Sequence, residues 1–490
     1  MTAMGVRSTG LFYIFIYLPI YYLFTLLQRI YWFCNGMSDI VYQINAGQLY
    51  ERSAQVFDIQ WKVKKEEFQL LNRKNFIATH HSFEHPNFVL SNSVSLLCIH
   101  DDGAIFVEVP SSYNIFDCRQ SPFVHLGQFD NAFRIITLPL SSLIQLGEDI
   151  GDPRMRVIWL HSTGRCGSTA VGQVFEVVPR CITLSEPMCL FTFKQKAGLV
   201  KSEKKYRQFL RSELHQNVIK AGVRLMAKPN DHDPEILFIK NFTLSGVNDL
   251  PYLERMFPDH THLFLYRDCL PTVQSYLRSL NSHFWMSFLL SLRRNACLRF
   301  IIRSPSIFIR TLVAPEVLDK HQWLRDSSLQ LEMTDFGLLV IQWGCLCDMY
   351  VQLREQGRSK VRAIRYEDIV RNKDQTLSLL FDFCGISSSY IDAAKKSLET
   401  DSQEGTLLSR STLGKAKKKH VTESLHSEAN FYLKAFKLGS LNEPMFLPGV
   451  LSPNVQSPAN NSMVSCSQQA AAQTTNTEQD RPYVSLDMQV

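Results

Sequence analysis

The chain opens on a long apolar run. No charged residue lies between Ser8 and Gln28, and the segment from Leu11 to Leu27 is almost wholly aromatic or aliphatic. A helix of this length matches the thickness of a hydrocarbon core, and its tyrosines suit the membrane interface. We therefore predict a single-pass transmembrane helix over residues 8–34. The alternatives are a cleaved signal peptide, which is usually shorter and ends in small residues, and a buried core helix.

A second pattern, in residues 45–150, is typical of short strands. Segments rich in β-branched and aromatic residues predict three of them. These segments are Asn87–Leu97, Ala104–Val109 and Ala132–Pro139. The sequence Asp101-Asp102-Gly103 predicts a hairpin turn between the first two. We interpret this block as a β-rich accessory region whose role the sequence leaves open.

In residues 153–435, short apolar runs alternate with longer helical periodicity. Such alternation is typical of a parallel sheet whose two faces are covered by helices. The runs that predict its strands are Met155–His161, Cys181–Ser185, Ile236–Lys240, His262–Tyr266 and Val361–Arg365. Further on, Ser, Asn, Gln, Thr and Pro dominate, so residues 440–490 are expected to form a disordered tail.

Composition narrows the class of ligand only slightly. The 490 residues are 45% hydrophobic and 20% charged, and the net charge of +6 suits an anionic ligand. A charge this small argues against nucleic acid as a partner. The twelve cysteines show no zinc-like spacing. We expect mostly reduced, buried thiols, with one or two disulfides as the alternative, and no metal site.

The stretch VIWLHSTGRCGSTAVGQVFE, which begins at Val157, is the most informative part of the chain for function. It predicts a buried strand, a glycine-containing turn and then a helix. Backbone N–H groups and the helix dipole at such a turn favour a bound anion. Glycines let the backbone approach the anion, an arginine adds a positive fork, and hydroxyls add donors. The residues that supply these features are Gly164, Arg165, Gly167, Ser168 and Thr169.

This loop departs from the Walker A pattern, which has four residues between its glycines and a Lys before the Ser or Thr. Here two residues separate Gly164 from Gly167, and no Lys precedes Ser168. An ATPase or kinase would also need a magnesium-binding carboxylate. The departure argues against ATP hydrolysis. A P-loop NTPase is the alternative, and magnesium-dependent ATP turnover would support it.

The sequence TGRCGST resembles the 5′-phosphosulfate loop of the sulfotransferase superfamily, in the form found in Golgi and related membrane sulfotransferases. The resemblance covers residues 153–435. It implies an α/β fold: a P-loop-type three-layer α/β/α domain with a central parallel sheet, here preceded by the transmembrane helix and the β-rich region. It also implies the donor 3′-phosphoadenosine-5′-phosphosulfate (PAPS), and Arg165 at its bridging oxygen. The implied donor-binding loop residues are Gly164, Arg165, Cys166, Gly167, Ser168 and Thr169.

A second motif agrees with this resemblance. The predicted strand His262–Tyr266 ends in Arg267, and Ser275 follows eight residues later on the next predicted helix. In the family, an Arg and a Ser at this spacing bind the 3′-phosphate. The segment Arg365–Val370 is similar to the family's RYEDL segment. We interpret it as a core strand followed by a helix start.

The catalytic base is expected at the ends of the predicted strands. Cytosolic family members carry a His in a K-T-H sequence, but here Lys240 matches the Lys and Phe242 replaces the His. Golgi-type members use a carboxylate, and the sequence Ser-Glu-Pro around Glu186 is similar to their S-E-P segment. We predict Glu186 as the base and Lys240 as a second catalytic residue. In the alternative, Glu186 only orients Arg165 or caps a helix.

Other candidates have weaker support. His161 and His283 are alternative bases, because histidine titrates near neutral pH. The family's last nucleotide contact comes from a basic loop near the end of the domain. Arg410 and Lys415 are the candidates for that contact, and a solvated charge run is the alternative for the lysine cluster.

The resulting hypothesis is sulfuryl transfer from PAPS to a hydroxyl or amine of a glycan, lipid or other acceptor. The alternative is a catalytically inactive, nucleotide-binding membrane protein with a sulfotransferase-like fold. The resemblance also implies a Golgi membrane location with a lumenal domain. In that case Asn241 begins a glycosylation sequon beside the predicted site, where a glycan would be hard to accommodate.

Overall fold

The coordinates are a computed structural model of the chain. The structure describes residues 10–66, 69–117, 120, 122–200, 203–228, 233–242, 246–282, 313–326, 333–357, 359–404, 409, 411 and 420–454. The described residues up to Ser452 belong to one compact unit, which contains two sheets.

The first sheet is antiparallel and has the order β2-β1-β5-β4-β3. Its strands are β1 (Ala54–Lys62), β2 (Phe76–Glu84), β3 (Val94–His100), β4 (Gly103–Glu108) and β5 (Arg134–Leu138). The β3–β4 hairpin turns at the predicted site, where His100 pairs with Gly103. The strand predicted over Asn87–Leu97 is wrong in its first half, because Pro86–Leu90 forms a 3₁₀ helix. Proline favours such a helix start, and the His85 ring accepts a hydrogen bond from the Asn87 N–H at 3.1 Å.

The second sheet is parallel throughout and has the order β10-β9-β6-β8-β7. Its strands are β6 (Arg156–Ser162), β7 (Cys181–Ser185), β8 (Ile236–Lys240), β9 (Thr261–Tyr266) and β10 (Arg362–Arg365). These strands coincide within one or two residues with the five predicted apolar runs. The runs are continuous because both faces are buried: Ile158 and Leu160 join one core cluster, and Val157 and Trp159 join another. The chain is therefore a mixed α/β protein with a central parallel sheet.

Helices surround the two sheets. Those before β6 are α1 (Gly10–Cys34), α2 (Met37–Asn45), α3 (Val124–Asn131) and α4 (Leu140–Ile150). Those between β6 and β10 are α5 (Ser168–Glu176), α6 (Cys189–Val200), α7 (Glu203–Arg211), α8 (Glu213–Met226), α9 (Leu250–Met256), α10 (Cys269–Ser282), α11 (Pro315–Lys320) and α12 (Asp335–Glu355). Those after β10 are α13 (Tyr366–Arg371), α14 (Lys373–Cys384), α15 (Ile391–Ser397) and α16 (Glu423–Phe436).

The two sheets share one core. Phe106 and Ile136 of the antiparallel sheet belong to the same buried cluster as Trp159 and Leu237 of the parallel sheet, and α4 and α8 contribute to it. Lys228, just after α8, reinforces the junction with its ammonium group. Its Nζ donates hydrogen bonds to the carbonyl oxygens of Val89, Ser91 and Val94, at 2.5–2.8 Å. The β-rich region is thus built into the core of the α/β region.

The first part of the predicted tail also packs on the core. The N–H of Leu451 donates to the Ala363 carbonyl of β10 at 2.7 Å. The Tyr266 hydroxyl donates to the Met445 carbonyl at 3.0 Å. The prediction of disorder from residue 440 is therefore wrong for the segment up to Ser452, whose leucines and Val450 are buried. Residues 455–490 lie outside the described part of the chain.

Helix α1 is packed against the antiparallel sheet along one stripe. Tyr13, Tyr17 and Tyr21 recur every four residues and are buried with Val63 and Ile77. Rings farther along the helix continue the contact, because Trp32 lies 6.2 Å from the Phe57 ring. This stripe explains the spacing of the tyrosines, which the sequence analysis assigned to a membrane interface.

The same helix covers the edge of the sheet. Strand β2 is an edge strand, and the Gln28 side chain donates to its Ala78 carbonyl at 3.2 Å. The Lys74 ammonium donates to the Tyr22 hydroxyl at 2.9 Å. Covering an edge strand protects its unpaired backbone groups. The opposite side of α1 exposes large apolar side chains, among them Phe15, Leu23, Leu27, Tyr31 and Phe33.

Two described helices, α1 and α12, are long and apolar enough to cross a membrane. Helix α12 is almost wholly buried inside the protein, as a core helix is. Helix α1 is mostly exposed and lies near the N-terminus, so it is a candidate membrane anchor or signal sequence.

We predict that Tyr17→Ala lowers the free energy of unfolding of the full chain by about 3 kcal/mol, because it deletes a fully buried ring. Urea unfolding in detergent solution measures this change. Phe15→Ala, on the same helix but 72% exposed, is the matched control and should change it by less than about 0.5 kcal/mol. Equal effects of the two substitutions would contradict the packing of α1 on the sheet.

Candidate functional site

The loop between β6 and α5 has an unusual backbone. Gly164, Arg165 and Gly167 have φ values of 71°, 51° and 83°, all in the left-handed region. Where successive residues alternate between negative φ and the left-handed region, as at Cys166 and Gly167, their N–H groups can point into a concavity that favours anions. The position of Gly167 admits no side chain, because a Cβ there would overlap the ring of Tyr366. The loop therefore needs glycine for conformation and for space.

Arg165 is a non-glycine residue in this strained conformation, and neighbouring groups hold it there. Its Nε donates to the Ser275 hydroxyl of α10 at 3.1 Å. The Tyr276 hydroxyl donates to the Thr163 carbonyl at 3.1 Å, which fixes the start of the loop. Burial lowers the pKa of the Arg165 guanidinium, and the nearby Glu186 charge opposes that effect. Arg165 is thus positioned as a cation inside the site.

Lys240 and Glu186 form the centre of the site. Lys240 ends β8, Glu186 follows β7, and their charged groups lie 2.8 Å apart. The Lys240 Nζ also donates to the Thr169 hydroxyl of α5 at 2.8 Å. It lies 3.5 Å from the Ser185 hydroxyl. Parallel strands place their carboxyl ends at one edge of the sheet, so these side chains meet although they are far apart in sequence.

The backbone of Glu186 is also constrained. Its φ of 56° lies in the left-handed region, where side chains other than glycine are strained. The Glu186 N–H donates to the Lys240 carbonyl at 2.9 Å, which compensates part of that cost. Such strain is common where a side chain must be held in a functional orientation.

Arg267 follows β9 and lies on the other side of the loop. Its guanidinium carbon is 5.0 Å from the centre of the Tyr366 ring, and its Nε is 3.8 Å from Glu367. Within the described ranges, no group accepts a hydrogen bond from its buried Nε–H. Because Tyr366 also covers Gly167, one ring connects the loop with Arg267. The residues predicted as purely structural, Arg365–Val370, therefore contribute a side chain to the site.

Several expected residues have different surroundings from those predicted. Ser275 was expected beside Arg267, but its hydroxyl contacts Arg165 instead, because it lies further along α10. Cys166 is buried, and its thiol donates weakly to the Leu265 carbonyl. Burial raises the pKa of this thiol, so Cys166 fills space in the core. Ser168 is the first residue of α5 and is buried at the end of the loop.

The alternative base His161 is fully buried. Its ring lies 3.0 Å from the ring of His262 and 3.3 Å from the Asn241 amide. Asn241 itself is buried, so a glycan on this residue is incompatible with the folded protein. The candidates His283, Arg410 and Lys415 lie outside the described residues.

Three contacts come from residues that sequence analysis did not select. The Phe123 ring lies 4.9 Å from the Lys240 Nζ, and the Pro122 carbonyl accepts from the Ser185 hydroxyl at 2.5 Å. The Gln403 side chain donates to the Thr169 hydroxyl at 3.2 Å. Pro122 and Phe123 belong to the β-rich region, where no motif marks them. Only the tertiary structure brings them to the site.

Together, these groups could bind an anionic ligand and supply a proton acceptor beside it. Arg165, Lys240 and Arg267 supply positive charge around a loop of backbone donors, and Glu186 supplies one buried carboxylate. In the described part of the chain, no group of three or more His, Cys, Asp or Glu side chains is arranged to hold a metal ion.

Comparisons with known proteins give limited similarity. No protein-family model matches the chain, and no curated protein matches its sequence. A sulfotransferase from Alicyclobacillus acidocaldarius aligns with 58% of this chain and 93% of its own, at 14% identity and a TM-score of 0.29. A sulfotransferase from Mycobacterium avium aligns with 62% of this chain and 83% of its own, at 12% identity and a TM-score of 0.31. Similarity this low carries no argument about activity.

We predict that Gly167→Ala lowers the free energy of unfolding by at least about 2 kcal/mol, because alanine is strained at positive φ and its Cβ overlaps Tyr366. Gly172→Ala is the control, since a Cβ in the middle of α5 meets its nearest atom at 4.0 Å. That substitution should be neutral or stabilise the helix by up to about 1 kcal/mol. Denaturant unfolding of both variants measures the difference, and a tolerated Gly167→Ala would refute this account of the loop.

Proposed function

We propose that this protein transfers a sulfuryl group from PAPS to an acceptor hydroxyl or amine. One observation carries the proposal: the buried Lys240 ammonium contacts both Thr169 of the anion-binding loop and the Glu186 carboxylate. A cation, a loop of donors and a carboxylate are the groups that in-line transfer of a charged sulfuryl group requires. The resemblance of TGRCGST to the 5′-phosphosulfate loop supports the same reaction.

The donor would bind along the loop. In this proposal Gly164–Thr169 surround the 5′-phosphosulfate with backbone N–H groups and hydroxyls, and the 3′-phosphate lies at Arg267. The buried Nε–H of Arg267, which has no acceptor within the described residues, fits a phosphate oxygen. The glycine at position 167 fits the close approach of a ligand to the backbone. Arg410 is a further predicted contact.

PAPS supplies an activated sulfuryl group when bound. During transfer, the acceptor oxygen or nitrogen forms a bond to sulfur, and the bond from sulfur to the bridging oxygen breaks. The electron pair of that bond stays on the bridging oxygen of adenosine-3′,5′-bisphosphate, where Arg165 and Lys240 offset the developing charge. Glu186 accepts the proton of the acceptor group.

An inactive, nucleotide-binding protein is the second candidate. Phe242 stands where cytosolic family members carry their catalytic His, and its side chain is buried against Phe191. If Glu186 only pairs with Lys240, the site would hold the nucleotide without transfer. Turnover by the wild-type protein distinguishes the two candidates.

We also propose attachment to a membrane through α1. Its exposed side is apolar and free of charge from Gly10 to Gln28, which suits lipid. A spanning arrangement over residues 8–34 requires α1 to leave the sheet, because Lys74 contacts its middle and a lysine is costly in hydrocarbon. The single-pass arrangement and the Golgi location stay predictions from the sequence.

We predict that Arg267→Ala weakens binding of adenosine-3′,5′-bisphosphate about 10-fold to 100-fold, because one charge-assisted contact to the 3′-phosphate is lost. Calorimetric titration of the full chain in detergent measures the dissociation constant. Arg180→Ala is the control, because Arg180 precedes β7 at the opposite end of the sheet and pairs with Asp233 and Glu235. No binding by folded wild-type protein would refute the donor site.

We predict that Glu186→Gln lowers turnover at least about 100-fold while binding of adenosine-3′,5′-bisphosphate changes little, since the amide cannot accept the proton. Release of this product from labelled PAPS, in the presence of a panel of phenol, sterol and sugar acceptors, measures turnover. Glu235→Gln, at the far end of the sheet, is the control. Unchanged turnover in Glu186→Gln would assign the base elsewhere, and no turnover in wild type would favour the inactive alternative.

A further inference from the structure

The Lys240 ammonium is enclosed on two sides. Oxygen atoms of Thr169, Glu186 and Ser185 lie on one side. The face of the Phe123 ring lies on another, with its centre 4.9 Å from Nζ. A cation at this distance is attracted to the ring, more strongly where water is excluded. Lys240 and Phe123 are 1% and 2% exposed, so water is excluded here.

The position of Phe123 is fixed by its own backbone. It is the residue just before α3 and has an extended conformation, with φ −135° and ψ 114°. The preceding residue, Pro122, accepts a hydrogen bond from the Ser185 hydroxyl at 2.5 Å. The two residues thus contact both Ser185 and Lys240, which end neighbouring strands of the parallel sheet.

Helix α3 connects Phe123 with the antiparallel sheet. The Gln128 side chain of this helix donates to the Ser95 hydroxyl at 2.9 Å and to the Leu96 carbonyl at 3.1 Å, both on β3. His125 lies between these two anchor points and is buried. Burial, together with the charges of Lys64 and Lys240, lowers the pKa of His125 to about 3, so its ring adds no charge beside Lys240.

We infer that the β-rich region completes the catalytic centre, with Phe123 as the positioning residue that holds the Lys240 ammonium against Thr169 and Glu186. The inference rests on the proposed function, because it gives the ammonium a role in transfer. A lysine side chain has four rotatable bonds and a strongly hydrated head, so oxygen partners on one side alone leave it free to turn toward water. The Phe123 ring occupies the space through which the Lys240 side chain would turn toward water.

The test replaces the ring and reads the position of the amine directly. Phe123→Leu removes the ring, and Phe129→Leu makes the same change six residues later on α3. Phe129 is a matched control, because it is also buried and also lies near lysines, with the Lys64 Nζ 5.0 Å from its ring. It packs on Phe76, within a cluster that contains no site residue. The full chain in detergent is treated with acetic anhydride, and acetylation of Lys240 is quantified by mass spectrometry.

We expect Lys240 to be acetylated at least about fivefold faster in Phe123→Leu than in wild type, and at the wild-type rate in Phe129→Leu. In turnover assays, Phe123→Leu should lower kcat about tenfold with KM for PAPS changed less than about twofold, as loss of a cation–ring contact worth about 1.4 kcal/mol implies. Phe129→Leu should leave both constants unchanged. Phe123→Met, whose flexible unbranched side chain adapts to irregular spaces in a core, replaces Phe123→Leu if that variant does not fold.

If Lys240 were acetylated at the wild-type rate in the variant that lacks the ring at position 123, whether Phe123→Leu or Phe123→Met, the inference would be overturned. Equal acceleration in Phe123→Leu and Phe129→Leu would overturn it as well, because that result reports general loosening of α3. Acetylation needs no turnover, so a wild-type protein without sulfuryl transfer refutes the proposed function while the labelling rates still decide whether Phe123 holds Lys240.

Discussion

A buried ammonium group is the constraint on which the site depends. Taking Lys240 out of water costs several kcal/mol unless oxygen atoms surround it. Its partners come from separate segments: Thr169 from α5, Ser185 and Glu186 from the end of β7, and Phe123 from the β-rich region. The ammonium is satisfied only when these segments are assembled. Folding of both sheets and formation of the site are therefore coupled.

A second point of contact connects the loop with Arg267, on the side of the candidate site proposed to bind the donor. The Tyr366 ring occupies the space that a side chain at Gly167 would need, and its face lies beneath the Arg267 guanidinium. Arg365, beside it, is buried and forms an ion pair with the partly exposed Asp268, at 2.6 Å. The segment from Arg365 to Glu367 thereby ties the end of β10 to the end of β9. Tyr366, in a segment predicted to be purely structural, therefore helps to position both the loop at Gly167 and Arg267.

The first 150 residues of the chain are integrated with the rest in the same way. The antiparallel sheet contributes to the core of the parallel sheet, Lys228 connects the two regions, and Pro122 and Phe123 reach the site. Helix α1 then covers the edge of that sheet at β2. The apolar run at the start of the chain therefore packs on the sheet along one side, and its other side is exposed.

Much of the fold, and the position of the loop that begins the candidate site, could be predicted from the sequence alone. The five parallel strands were predictable because strands buried on both faces are continuous apolar runs, and the loop from Gly164 to Thr169 because its glycines and hydroxyls are local in sequence. Glu186 and Lys240 were selected because they match the family's S-E-P and K-T-H segments at strand ends; the structure brings them together, and their catalytic roles stay predictions. Only the tertiary structure decided that Ser275 contacts Arg165, that the tail packs as far as Ser452, and that Phe123 covers Lys240. Contacts between residues more than a hundred positions apart depend on sheet order and helix packing, and a single sequence carries no local pattern for them.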